Sequence, residues 1–298
     1  MTLRIAIVGA GLMGAGLATV FARGGHHVLI TDPMPQTLAT VRERIGRIVV
    51  SLGDTEEISG RVTPVAGLAD AVADVDLVLE AAPEKLDLKQ RLFVDIEAAA
   101  RPDAILASNT SVIPISKIMA GVKRKGRALG THWWNPPYLV PLVEVIQTAD
   151  TELRIVNDVM ALLISLGKVP VHVKKDVPGF VGNRLQHALW REAISLVENG
   201  VCDAETVDLV VKNSFGARLA VLGPLENADL VGTDLTLDIH NQVLGDLADA
   251  KTPSPYLKQL VADGKLGFKS YHGFKCWTDQ QITDLRAKIV SHLKKSFN

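Results

Sequence analysis

Two residues of this chain are typed and placed for acid–base chemistry: His132, in His132-Trp-Trp-Asn135, and Glu144, in Leu142-Val-Glu144. Oxidising a secondary alcohol needs a group that takes the hydroxyl proton while hydride leaves for a nicotinamide, and imidazole titrates near neutral pH. A carboxylate fixes the imidazole tautomer and stabilises its charged form. Glu144 stands in a run otherwise suited to burial, Leu142-Val-Glu-Val-Ile146, where a lone carboxylate is costly without a partner. Each residue thus accounts for the other. Ser111 and Asn109, in Asn109-Thr-Ser111, follow an apolar run; they could bind substrate oxygen and nicotinamide or ribose, or only cap the next helix. Asn183 could reach the same oxygen.

A base of this kind needs a hydride acceptor, and the start of the chain offers a place for one. Leu3 to Gly9 reads as a strand, Met13 to Arg23 as a helix, and Gly9-Ala-Gly-Leu-Met-Gly14 joins them. In such a turn Gly9 permits the bend, Gly11 lets a pyrophosphate approach the backbone, and Gly14 lets helix and strand pack. The helix N-terminus, with Leu12 and Met13 in its first turn, offers N–H groups and a positive dipole end to phosphate. A second run, His27 to Thr31, ends at Asp32, about 20 residues past the glycines, where an acid holds the adenosine ribose hydroxyls. Asp32 would repel a 2′-phosphate, so NAD is favoured over NADP; on the turn alone FAD stays open.

The elements that must position these groups alternate. Helix-like segments at Gln36–Leu52 and Leu86–Ala100 separate strand candidates at Val75–Glu80, Ala104–Ala107, Ala128–Thr131, Leu142–Ile146 and Val169–Lys174. The fold class this implies is α/β, a doubly wound, mostly parallel sheet with its binding crevice at the strand C-termini. His132 falls just past a strand, hence at the crevice. Beyond Asp176-Val-Pro-Gly179 the pattern becomes all-helical, with a helix over Arg184–Asn199, Asp203 capping another, Ser254-Pro255 opening a third and Thr278 the last. The expected division is a Rossmann-type domain over 1–178 and an all-α domain over 179–298.

Composition agrees with an enzyme that stays in water. The 298 residues are 47% apolar, and 32 basic residues nearly cancel 33 acidic ones, so no global field points to nucleic acid or an anionic membrane. The first strand begins at Leu3, leaving no room for a targeting peptide, and no stretch reaches the ~20 apolar residues of a membrane span; a cytoplasmic location is expected. Cys202 and Cys276 lie far apart as plain thiols, the histidines show no metal-type grouping, and His26 and His27 are expected to face solvent.

Taken in order, Gly9-Ala-Gly-Leu-Met-Gly14, Ser108-Asn-Thr-Ser111, His132-x-x-Asn135-Pro, Leu142-Val-Glu-Val, Pro178-Gly-Phe-Val-x-Asn183-Arg and Gly223-Pro-Leu-Glu226 resemble the 3-hydroxyacyl-CoA dehydrogenase family across nearly the whole chain. The resemblance implies His132 as catalytic base, Glu144 as its partner, and Ser111 and Asn183 at the reacting oxygen. It implies Glu84 and Lys89 on the nicotinamide side of NAD, with Asn109 and Asn135 as further cofactor-binding residues, and a helical domain that pairs two subunits into a homodimer. Three features depart from the fatty-acid enzymes: a shorter segment between Asp32 and Val75, Trp133-Trp134 where paired phenylalanines are common, and Asn135-Pro-Pro-Tyr-Leu-Val-Pro141, which is similar to L-gulonate 3-dehydrogenases and in part to carnitine dehydrogenases. The tail from Pro255 to Phe274 resembles short 3-hydroxybutyryl-CoA dehydrogenases. A compact free L-3-hydroxy acid and a short acyl-CoA both stay open as substrates. An NAD(H)-binding structural or sensor protein is the reading from another class; such a protein has no need of a base and its orienting acid.

Overall fold

The computed structural model describes residues 2–297. Its strands are β1 (Arg4–Val8), β2 (His27–Thr31), β3 (Val62–Pro64), β4 (Leu77–Glu80), β5 (Ile105–Ser108), β6 (Ala128–Trp133), β7 (Leu142–Ile146) and β8 (Val169–Val173). Helices between them are α1 (Leu12–Arg23), α2 (Pro35–Ala39), α3 (Val41–Ser51), α4 (Leu68–Val72), α5 (Leu86–Ala99), α6 (Ile115–Ile118) and α7 (Leu153–Ser165). Then follow α8 (Gly182–Glu198), α9 (Ala204–Lys212), α10 (Phe215–Arg218), α11 (Pro224–Val231), α12 (Thr233–Val243), α13 (Pro255–Ala262) and α14 (Asp279–Phe297).

The chain forms two compact units, one from its start to Arg184 together with the residues from Val290 onward, the other Leu185–Ile289. The first holds one eight-stranded sheet in the order β3-β2-β1-β4-β5-β6-β7-β8. All neighbours pair in parallel except β6 with β7, which run antiparallel. The sheet is doubly wound. Alternation along β1 shows it: Ile5 and Ile7 join one buried cluster with Leu17 and Phe21 of α1, while Ala6 and Val8 join another with Phe93 and Ile96 of α5. Strand order reverses between β1 and β4, the place where such sheets open a crevice for a ligand.

Several elements differ from the sequence reading. The helix-like stretch Gln36–Leu52 is split at Thr40 into α2 and α3. Strand β6 runs on through His132 to Trp133, because antiparallel pairing with β7 continues to Trp133↔Val143. His26 is buried rather than solvent-facing, its Nδ1 accepting the Leu3 N–H at 3.1 Å, while His27 is exposed. Strand β3 and helices α4, α6 and α7 carried no expectation.

The second unit is helical, with only isolated bridges at Gly267, His272 and Cys276. Asp203 caps α9 by accepting the Thr206 N–H, and Ser254 caps α13 ahead of Pro255. Among the described residues of this unit only Leu260 and Ile282 are buried apolar side chains, while Leu209, Leu225, Leu230 and Leu237 are exposed. No helix among the described residues is long and apolar enough to cross a membrane.

Candidate active site

Antiparallel pairing sets His132 of β6 directly opposite Glu144 of β7. Opposed residues share a face with Cβ atoms ~5 Å apart, so the two side chains must meet. They do, with Nδ1 2.7 Å from Oε2, and both are buried. The other carboxylate oxygen accepts the Val181 N–H at 2.8 Å and the Gly182 N–H at 3.1 Å, at the start of α8. Burial pushes the Glu144 carboxyl pKa up, but the bond from His132 and the N–H groups of Gly182 and Val181 outweigh it and hold it below its ordinary value. An ionised carboxylate only accepts hydrogen bonds, so Nδ1 is the donor of this pair, and in a neutral imidazole so held the lone pair falls on Nε2. Trp134 and Phe180 wall the imidazole, with ring centroids at 5.2 and 5.8 Å. Phe180 is itself held at φ +50, a conformation that costs a bulky residue about 1 kcal/mol and persists where surrounding contacts over-determine it.

Asn183, also buried, donates from Nδ2 to the carbonyl of Ser111 at 2.7 Å. Ser111 lies on the exposed loop after β5, and its N–H donates to Glu84 at 2.9 Å. Glu84 also accepts the Thr110 hydroxyl at 2.5 Å and the Val112 N–H at 3.1 Å. Burial raises its pKa, yet the Thr110 hydroxyl, the Lys89 ammonium and the two N–H groups bring the net shift downward. Asn109 spends its Oδ1 on the Trp133 N–H at 3.0 Å, which leaves its amide donors for other use. Lys89 lies inside the protein, 1% exposed, with its ammonium 2.6 Å from Glu80 and 3.4 Å from Glu84. Asn135 is exposed in the connector between β6 and β7.

The glycine turn fits a dinucleotide. A Cβ added to Gly11 would meet nothing within 4 Å, whereas one on Gly14 would lie 1.8 Å from the Gly9 carbonyl oxygen. The turn is therefore open above Gly11 and closed beneath Gly14. No side chain caps α1 and no acid occupies its first turn, where Leu12 and Met13 stand, so its N–H groups are open to an anion such as a pyrophosphate. Asp32, at the end of β2, accepts the Ala10 N–H at 2.8 Å and the Met34 N–H at 2.9 Å, fixing its carboxylate beside the turn. Arg44 steadies the same corner by donating to the carbonyls of Ala10 at 2.6 Å and Thr37 at 2.8 Å.

Lys168 is a residue the sequence does not mark. Its ammonium donates to the carbonyls of Pro137 at 2.5 Å and Val140 at 3.1 Å and lies 5.7 Å from the Trp133 ring centre, holding the β6–β7 connector. Burial, and secondarily the Arg23 guanidinium, push its pKa down to about 8. The folded state then binds this proton less tightly than the unfolded chain, so stability rises as pH climbs from about 8 toward 10.5. Urea midpoints from pH 7 to 10 should show the wild type gaining on the order of 1 kcal/mol relative to Lys168→Met. Parallel curves for the two proteins would contradict this.

Residues 4–177 match the 3-hydroxyacyl-CoA dehydrogenase NAD-binding domain, and residues 179–277 match the C-terminal domain of 3-hydroxyacyl-CoA dehydrogenase. The chain is 37% identical to a 5-formyl-3-hydroxy-2-methylpyridine 4-carboxylate 5-dehydrogenase of Mesorhizobium japonicum, over 98% of this chain and 96% of that one. It is 37% identical to a probable 3-hydroxybutyryl-CoA dehydrogenase of Deinococcus radiodurans, covering 91% and 99%. A crystal structure of a 5-dehydrogenase of the same pyridine carboxylate, described as an NAD+-dependent dismutase, superimposes with a TM-score of 0.90 at 36% identity over 98% and 96%. The chain therefore belongs to the 3-hydroxyacyl-CoA dehydrogenase family of NAD-dependent dehydrogenases.

Proposed function

We propose that the protein catalyses reversible NAD-linked oxidation at C3 of an L-3-hydroxy substrate, with His132 as base. The buried His132–Glu144 pair supports this reading most strongly, since it leaves Nε2 ready for a proton while Glu144 stabilises the imidazolium that results. Ser111 and Asn183 contact the reacting oxygen. Bound NAD supplies the hydride acceptor. Gly9, Gly11, Leu12, Met13 and Gly14 take its pyrophosphate side, Asp32 its adenosine ribose, and Glu84, Asn109 and Asn135 its nicotinamide side, with Lys89 acting through Glu84. Residues from 179 onward form a substrate and dimerisation domain that pairs two subunits. A unit whose only buried apolar side chains are Leu260 and Ile282 has apolar surface to cover, which supports a homodimer. The expected location is the cytoplasm.

Between the two substrate classes, a compact free acid has the better support. The full-length similarity to a dehydrogenase named for a pyridine carboxylate agrees with the short segment between Asp32 and Val75 and with the Pro136–Pro141 connector. A short 3-hydroxyacyl-CoA is the second reading, on the similarity to the Deinococcus protein.

The test is NADH formation by the purified protein with L-3-hydroxybutyrate, L-gulonate, L-carnitine and L-3-hydroxybutyryl-CoA side by side. Preference for a free acid supports the first reading and preference for the thioester the second. NADH binding without turnover on any of them would favour a structural or sensor protein. Asp32→Ala should raise the KM for NAD and reduce its preference over NADP, each on the order of 10-fold, as the ribose partner and the repulsion of a 2′-phosphate are both lost. Unchanged cofactor selectivity would remove Asp32 from that role.

A further inference from the structure

Strand β4 ends in a carboxylate that no role above uses. Glu80 closes the run Leu77-Val-Leu-Glu80 and is wholly buried. Its Oε1 accepts the Lys89 ammonium at 2.6 Å and the Ala82 N–H at 2.6 Å, and its Oε2 accepts the Ser108 hydroxyl at 2.6 Å. Lys89 bonds the Ala82 carbonyl at 3.1 Å and faces Glu84 at 3.4 Å. Glu84 gathers the Thr110 hydroxyl and the N–H groups of Ser111 and Val112. One continuous polar chain thus runs from the end of β4, through the first turn of α5, to the loop that carries Ser111.

We propose that Glu80 is a positioning residue for Ser111, acting through Lys89 and Glu84. A buried ion pair contributes little to stability compared with apolar residues of the same volume, so stability alone is a poor reason for two charges here. Geometry supplies a better one. With Glu80 holding the ammonium, Lys89 stays 3.4 Å from Glu84, and the Glu84 oxygen that faces the loop is left to the three donors of residues 110–112. Without the Glu80 charge, the ammonium's nearest carboxylate is Glu84, and it draws Glu84 away from those donors. The Ser111 backbone then loses its N–H anchor and keeps only the bond from Asn183 to its carbonyl.

This inference rests on Ser111 acting at the reacting oxygen, and a double-mutant cycle separates the two claims. Glu80→Gln, Ser111→Ala and the double variant are compared by kcat at saturating NAD and substrate, with thermal midpoints recorded for each. Ser111→Ala and Glu80→Gln should each lower kcat by about 10-fold, and Glu80→Gln should cost less than about 2-fold more once Ser111 is alanine. Equal losses from Glu80→Gln in both backgrounds, or no loss in either, would overturn the role of Glu80. A Ser111→Ala protein with wild-type kcat would overturn the reading of Ser111 beneath it. Should Glu80→Gln fail to fold, Ser108→Ala, which removes only the hydroxyl on Oε2, enters the same cycle with an expected loss of about 3-fold that vanishes in the Ser111→Ala background.

Discussion

His132→Ala should lower kcat by about 10²–10⁴-fold, the range that a positioned general base contributes, while NADH binding followed by fluorescence stays near the wild-type level. The side chain is buried, walled by Trp134 and Phe180 and held by Glu144, so its loss leaves Glu144 without its imidazole partner but leaves the glycine turn intact. Turnover within a few-fold of wild type would remove His132 from the mechanism. Glu144→Gln sharpens the test. Three donors converge on this carboxylate, Nδ1–H on one oxygen and two backbone N–H groups on the other. A glutamine that keeps its one acceptor oxygen on the two N–H groups turns its NH₂ to Nδ1, which can accept it only in the other tautomer, with the imidazole proton moved to Nε2 and the lone pair there lost. Lower kcat together with a lower thermal midpoint is expected, and stability lost without any loss of rate would make Glu144 structural only.

Gly14→Ala and Gly11→Ala should fail in different ways. The Cβ at position 14 would stand 1.8 Å from the Gly9 carbonyl oxygen and 2.9 Å from its carbon, both of them backbone, in the turn that seats α1 on the sheet. Relief requires moving the helix, and a cost of several kcal/mol and loss of folded protein are expected. At position 11 there is open space, so Gly11→Ala should melt like wild type yet raise the KM for NAD about 10-fold or more, because the methyl fills room the pyrophosphate needs. Similar melting of the two variants would contradict this division between packing and binding.

The parts legible in the sequence were those set by local rules. The glycine turn, the helix after it and Asp32 follow from residue type and spacing, and they stand where expected. The pairing of His132 with Glu144 was legible because a carboxylate in an apolar strand needs a partner. Glu80 meets the same criterion in Leu77-Val-Leu-Glu80, but its partners come from α5 and from β5, which the sequence does not mark as neighbours of its side chain. Strand β3 spans only Val62–Pro64 and has no room to show alternation. The antiparallel turn at β7 was hidden by the overall strand–helix alternation, although the connector 134–141 is too short for a parallel crossover, which takes a dozen residues or more. Lys168 is not marked in the sequence, because its partners are carbonyls, which carry no signal in residue type.

The placement of His132 and Glu144 on two directly paired strands has a consequence for the loop that joins them. The connector between them is tied down by Lys168, just before β8, while the β6–β7 ladder holds the His132–Glu144 pair in place. The alignment of the pair is therefore set by the ladder and not by the loop, so residues 136–141 can vary while His132 and Glu144 stay face to face.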